Sequence, residues 1–170
     1  MKKYTILVVM MILSLIVVGC GNSKTDQEAA PVLVEQEPSP ERVKVVLYFA
    51  NEQADALVPV EREIDKPNDM VVALVNELAK PDKLNPVIPE GTELIYYQKD
   101  GDTITLNFNQ ALANMQGSTG EFIAVNAIVN TITQLPEFNK VQLLVERSPL
   151  TTGHAVYDKP LARDESTINK

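Results

Sequence analysis

The sequence predicts an α/β domain of the α+β type: a mixed or mainly antiparallel sheet of about five strands with two helices packed on it. The expected order is β-β-α-β-β-α-β. Three observations point there. Short segments alternate apolar and polar residues with period two. Two longer segments carry apolar stripes at helical spacing, each closed by a proline. Strands also outnumber helical crossovers, which excludes a purely parallel sheet.

The first strand follows from Val43, Val45, Leu47 and Phe49, which alternate with Lys44, Val46 and Tyr48. Asn51 to Asp55 reads as a polar turn, and Leu57–Ile64 (LVPVEREI) as the returning strand. Pro59 has no N–H to donate, so this strand is expected at a sheet edge. Pro67-Asn68-Asp69 then opens a helix, with Asn68 or Asp69 as its N-cap. Met70, Val71, Leu74, Val75 and Leu78 share one face of it, and Pro81 stops it.

Leu94-Ile95-Tyr96-Tyr97 is strand-like, and Asp100-Gly101 is a strong signal for a tight hairpin. Ile104, Leu106 and Phe108 form the buried side of the returning strand. Ser118-Thr119-Gly120-Glu121 has the spacing of a capping box, in which serine and glutamate each bond the other's amide. Phe122, Val125, Val129 and Ile132, widened by Ile128 and Leu135, form the second helical stripe before Pro136. Val141, Leu143 and Val145 make the last core strand, and beyond Ser148 only Pro160-Leu161 is expected to return to the sheet.

Ahead of this domain the chain changes character. Lys2 and Lys3 precede an apolar run, Thr5–Val18, that ends at Val17-Val18-Gly19-Cys20. A positive start, an apolar centre and a small residue before the cut describe a secretory signal peptide, here residues 1–19. The run is shorter than the roughly 20 residues of a membrane span. The surroundings of Cys20 resemble the bacterial lipobox, which implies that Cys20 carries S-diacylglycerol and an N-acyl chain. It is the sole cysteine, so no internal disulfide can explain it. Two or more acyl chains would hold the protein stably on a membrane.

Residues 20–41 follow as a tether, with three prolines and five acidic side chains against one lysine. Such a stretch buries too little apolar surface to offset its ordering entropy, and its reach is roughly 25 Å. The whole chain has a net charge of −8, and loss of Lys2 and Lys3 makes it two units more negative. That balance argues against nucleic acid as a partner and against adhesion to anionic headgroups.

Several blocks carry a further likeness: LYF at 47–49, LVPVEREI at 57–64, IPEGTEL at 88–94 and DGDTITLNF at 100–108. GSTGEFIAVNAIVNTITQLPEFNKVQLLVE at 117–146 and PLARD at 160–164 continue it. In these the chain resembles the GerMN domain of sporulation and spore germination lipoproteins, as a single domain over 42–165 with a tail at 166–170. Where family members often have Asp-Leu-Ser, this chain has Asn107-Phe108-Asn109. The resemblance implies a fold similar to small α/β ring-building modules. It also implies an envelope lipoprotein on the extracytoplasmic face of the cell membrane, acting in sporulation or germination.

Candidate chemistry is sparse. His154 stands alone in a Thr-Thr-Gly-His loop, and with Cys20 assigned to lipid no zinc set can be assembled. Glycan cleavage needs two carboxylates astride a cleft, for which Glu61 with Glu63, or Glu90 with Glu93, are the candidates. With no tryptophan to stack on a sugar ring, solvated roles fit these acids better. Asp100 and Asp102 belong to the hairpin, and Gly117 and Gly120 lack the pattern of a phosphate loop. No catalytic residue, cofactor or metal ligand is expected. The expected function is a non-catalytic envelope interaction module that binds an envelope or sporulation protein or its own copies. Val45–Phe49 and Leu57–Val60 are the candidate edges for strand addition. The competing expectations are a peptidoglycan or cortex hydrolase and a small solute-binding lipoprotein.

Overall fold

The computed structural model describes residues 40–169. The expected signal peptide, Cys20 and nearly all of the tether lie outside them. The alternating segments form β1 (Arg42–Ala50) and β2 (Leu57–Asp65), paired antiparallel with Val46 opposite Glu61 and Tyr48 opposite Pro59. The Asn51 side chain organises the loop between them by accepting from the amides of Asp55, at 3.1 Å, and Ala56, at 3.4 Å.

Helix α1 (Met70–Leu78) starts where Asp69 accepts from the Val72 amide at 3.1 Å, as an N-cap should. The other Asp69 oxygen accepts from the Tyr97 hydroxyl at 2.8 Å. Burial pushes the Asp69 carboxyl up, but the Val72 and Tyr97 bonds outweigh it and hold the group below its ordinary value. Val71, Leu74, Val75 and Leu78 of the predicted stripe are buried.

The second hairpin consists of β3 (Leu94–Asp100) and β4 (Thr103–Phe108). Its turn is displaced by one residue from the Asp100-Gly101 expectation, because Asp100 pairs with Thr103. Gly101, at φ 58°, is then the first loop residue and Asp102 the second. Positive φ at the first position alone is the type II′ pattern. Helix α2 (Gly117–Ile132) carries the chain over to β5 (Lys140–Val145), which runs parallel to β4.

Two expectations for α2 fail. Gln116 occupies the N-cap with no side-chain bond, and Gly117, at φ 68°, makes the entry turn. Ser118 therefore already lies inside the helix and cannot act as cap. Glu121 turns inward instead, only 3% exposed, and accepts from the Tyr157 hydroxyl at 2.8 Å. The stripe reading also misplaces Phe122, which is 47% exposed while Ile123 is buried. A one-sided stripe presumes one covered face. Here every residue from Ala127 to Ile132 is buried, because α2 contacts β1, α1 and β5.

The sheet expectation is right in class and short in count. Among the described residues eight strands form two sheets: the β1–β2 ribbon stands apart, and β3 to β8 form the other. The extra strands are short: β6 (Ser148–Thr151), β7 (Val156–Tyr157) and β8 (Leu161–Ala162). Leu161 pairs with Val141, so Pro160-Leu161 does return to the sheet. Residues 166–169, expected as a tail, are packed as well. Thr167 is buried, and the Asn169 amide donates to the Leu57 carbonyl at 2.7 Å.

The core is one continuous apolar cluster containing Leu47, Phe49, Leu57, Leu74, Leu106, Phe108, Ile128 and Phe138. Buried polar groups are paired rather than abandoned. Both ends of the Asn130 amide serve the C-terminal segment: Oδ1 accepts from the Asp164 amide at 3.0 Å, and Nδ2 donates to the Asp164 carbonyl and Thr167 hydroxyl at 3.1 Å. Arg163 adds bonds to the Asn130 carbonyl, at 2.8 Å, the Tyr48 hydroxyl and the Glu165 carboxylate. Its guanidinium also lies over the Tyr48 ring, 4.9 Å from the centroid.

Candidate interaction surface

The residues considered for chemistry do not converge. Glu61 and Glu63 alternate along the exposed face of β2, and Glu90 and Glu93 are exposed in the segment before β3. Glu90 borders a shallow groove of about 300 Å³ together with Pro86, Ile88 and Met115. His154 is exposed, and its amide donates to the Thr152 hydroxyl at 3.2 Å. Asp102 accepts from the Asn139 side chain at 3.1 Å, a bond that lowers its carboxyl from the ordinary value. Asp100 closes the hairpin opposite Thr103. Gly120 borders the same groove as Glu90, while Gly117 is spent on the turn into α2. Among the described residues no three His, Cys, Asp or Glu side chains form a metal-holding group.

The strand edges are more informative. In an antiparallel pair, alternate residues turn their N–H and C=O groups away from the partner. In the middle of β1 most of those groups are already taken. The Val46 amide donates to the Gln134 side chain at 3.0 Å, the Gln134 amide donates back to the Val46 carbonyl, and the Tyr48 amide donates to the Thr131 hydroxyl at 3.2 Å. Thr131 of α2 and Gln134 just beyond its end thus close the Val46–Tyr48 part of this edge with side chains, which blocks strand addition along Val45–Phe49. Sequence separation hides the device, since Gln134 lies 88 residues from Val46.

The same register shows what β2 exposes. Glu61 and Pro59 sit opposite Val46 and Tyr48, so their backbone groups also face outward. Pro59 contributes no N–H there, which is why proline is accommodated. The Leu57 carbonyl is occupied by Asn169, and the Glu63 carbonyl accepts from Arg42 at 3.0 Å. The Leu57–Val60 edge is therefore blunted, one of the usual protections against unwanted pairing.

The edge of β3 is different. The Phe108 carbonyl accepts from the Glu146 amide at 3.0 Å, on the β5 side of β4. By alternation Leu106 and Ile104 turn the same way, and their partners Tyr97 and Lys99 on β3 turn their backbone groups outward. Among the described residues nothing bonds to them. Ile95 forms a bulge between Leu94 and Tyr96 and is 51% exposed. Lys99 does not stand over the edge: its ammonium lies 5.0 Å from the Phe138 ring centre and 5.9 Å from that of Tyr97. No sequence signal distinguished this edge from β1, whose protection comes from distant side chains; on β2 only Pro59 gave a local one.

The Asn107-Phe108-Asn109 departure has a structural use. The buried Asn107 side-chain oxygen, Oδ1, accepts from the Arg147 amide at 2.6 Å, fixing the β5–β6 turn. That turn holds Glu146 at φ 48° and Arg147 at φ 69°. Both are left-handed, which costs a residue with a Cβ about 1 kcal/mol or more. Replacing the pair by Asn-Gly, the preferred type I′ dipeptide, is expected to stabilise the domain by about 1 kcal/mol. A higher urea midpoint at unchanged slope will show it.

The described residues thus form an α+β domain with paired buried polar side chains and an open edge at β3. The chain belongs to the Germane family, whose description is sporulation and spore germination and which matches residues 46–151. It is similar to the tandem GerMN domains of the sporulation protein GerM from Bacillus subtilis, at 29% identity and TM-score 0.60 over 76% of this chain. The chain spans about half the length of that tandem protein, 47%. A candidate lipoprotein from Clostridium perfringens is similar at 25% identity and TM-score 0.52, over 71% of this chain and 87% of that one. The first GerMN domain of GerM alone, at 18% identity and TM-score 0.57, shares the fold over 71% of this chain and 98% of its own. Comparison with curated proteins gives no match.

Proposed function

We propose that this is a membrane-anchored lipoprotein, facing outward from the cell membrane, whose GerMN-type domain is a non-catalytic assembly module in sporulation or spore germination. The observation that carries this reading is the Germane match over residues 46–151, downstream of a leader that ends at the sole cysteine, Cys20. Residues 1–19 act as the signal peptide, Cys20 carries the lipid, and residues 20–41 hold the domain off the membrane. The likeness to a candidate lipoprotein supports the anchor. The dispersal of Glu61, Glu63, Glu90, Glu93 and His154 over exposed positions supports a role without catalysis.

Cys20→Ala tests the anchor. In fractionated cells the variant domain should remain folded but leave the membrane pool. Retention there in uncleaved form would mean that the apolar leader itself is the anchor. Deleting the gene tests the role, and unchanged spore yield, spore properties and germination would overturn it.

A further inference from the structure

We infer that the outer edge of β3 pairs with β3 of a second copy of this chain, antiparallel and two-fold symmetric about Gln98. The inference deepens the assembly reading above and rests on it. The β1 edge is sealed by Gln134 and Thr131, and the β2 edge is blunted by Pro59, Arg42 and Asn169. β3 leaves both the N–H and the C=O of two consecutive outward residues, Tyr97 and Lys99, unbonded within the described residues. By contrast, Val46 and Tyr48 in the middle of β1 and Pro59 and Glu63 on β2 each have a group occupied or missing. An apolar, unprotected edge such as Leu-Ile-Tyr-Tyr is a pairing hazard unless it has a partner.

The occupant follows from the register. Two outward residues on each copy must exchange bonds, and a two-fold axis permits few alignments. Centring on Lys99 sets two ammonium groups against each other, which is repulsive. Centring on Tyr97 draws the bulged Ile95 into the ladder opposite Lys99, where a bulge disrupts bonding. Centring on Gln98 places Tyr97 opposite Lys99 of the second copy, twice, and exchanges about four backbone bonds. Each Lys99 ammonium, already over rings of its own copy, then meets a second Tyr97 ring. Gln98 faces Gln98, neutral against neutral. The ladder is short and therefore weak in dilute solution, so it depends on both copies being confined to one membrane surface, which raises their effective concentration.

Gln98→Cys in the full membrane-bound chain tests this directly. The two thiols would sit in a non-bonded pair with Cα atoms about 4.5 Å apart, within disulfide range. Mild oxidation of isolated membranes should convert most of the protein to a dimer that reducing agent reverses. The wild-type chain, with only Cys20, sets the background, and Glu61→Cys on the blunted edge should stay within twofold of it. Adding Lys99→Pro to Gln98→Cys removes an outward donor together with the Lys99 ammonium, leaves the bonds of β3 to β4 intact, and should cut crosslinking at least tenfold. Crosslinking of Gln98→Cys no higher than that of Glu61→Cys, in chains that fractionate with the membrane, overturns self-pairing and leaves the anchored reading intact. A product of any mass other than the dimer assigns the edge to a different protein and likewise overturns it. Recovery of the chain in the soluble fraction would instead count against the anchored reading.

Discussion

Replacing Asn130 by leucine is expected to lower stability by about 3 kcal/mol, although the two side chains are nearly the same size. Asn130 is fully buried, and its amide makes three bonds to Asp164 and Thr167. Leucine removes all three and leaves the Asp164 N–H without an acceptor, and an orphaned buried donor costs about 1–3 kcal/mol by itself. Asn130→Asp sharpens the test. It keeps an acceptor for the Asp164 amide, yet sets a carboxylate at a fully buried position against the Asp164 carbonyl. It should do at least as much damage as leucine. Urea unfolding gives the loss, and hydrogen exchange should show the Asp164 amide losing protection first. A loss below about 1 kcal/mol in both variants would mean that the C-terminal segment is not held through Asn130.

Phe49→Ala is expected to cost about 4 kcal/mol, within the range for truncating a buried phenylalanine. Phe49 is fully buried, and the Arg62 guanidinium lies 5.4 Å from its ring centre. Arg62 in turn reaches the Glu77 carboxylate at 2.8 Å, the Asp82 carboxylate at 2.9 Å and the Lys80 carbonyl at 2.9 Å. The ring is thus the floor beneath the group that fastens the C-terminal end of α1 to β2. Alanine opens a cavity and frees the guanidinium to swing away. Phe49→Leu restores most of the volume but no ring face, and should cost about 1 to 2 kcal/mol. If leucine and alanine were equally damaging, the ring face would matter more than the volume.

What the sequence made legible was local. The Asp69 cap, the Pro81 stop, the apolar side of β4 and the return at Leu161 each depend on residues a few positions apart. Pro59 correctly marked an edge because a missing N–H is a property of one residue. What escaped depends on distance along the chain. Gln134 and Thr131 carry no local signal, but they close a strand more than 80 residues earlier. Asn130 lies off the predicted apolar stripe, yet it is buried and binds the C-terminal segment. The apparent capping box failed because Gly117 turns the chain before Ser118 can, and because Tyr157 draws Glu121 inward. The unprotected edge was missed for the same reason: whether a strand is open depends on what the rest of the chain brings to it.

The C-terminal clamp has a temporal consequence. Arg163 reaches Tyr48 across 115 positions, and Asn169 closes on Leu57. A chain emerging from its N-terminal end therefore cannot complete this domain until Asn169 is free. Until then Asn130 lacks its partners, and the ribbon lacks the segment that pins Leu57. Contacts of such long sequence separation form late and slowly. The growing chain accordingly stays open along the ribbon and α2, and locks only once the Arg163–Asn169 segment has arrived.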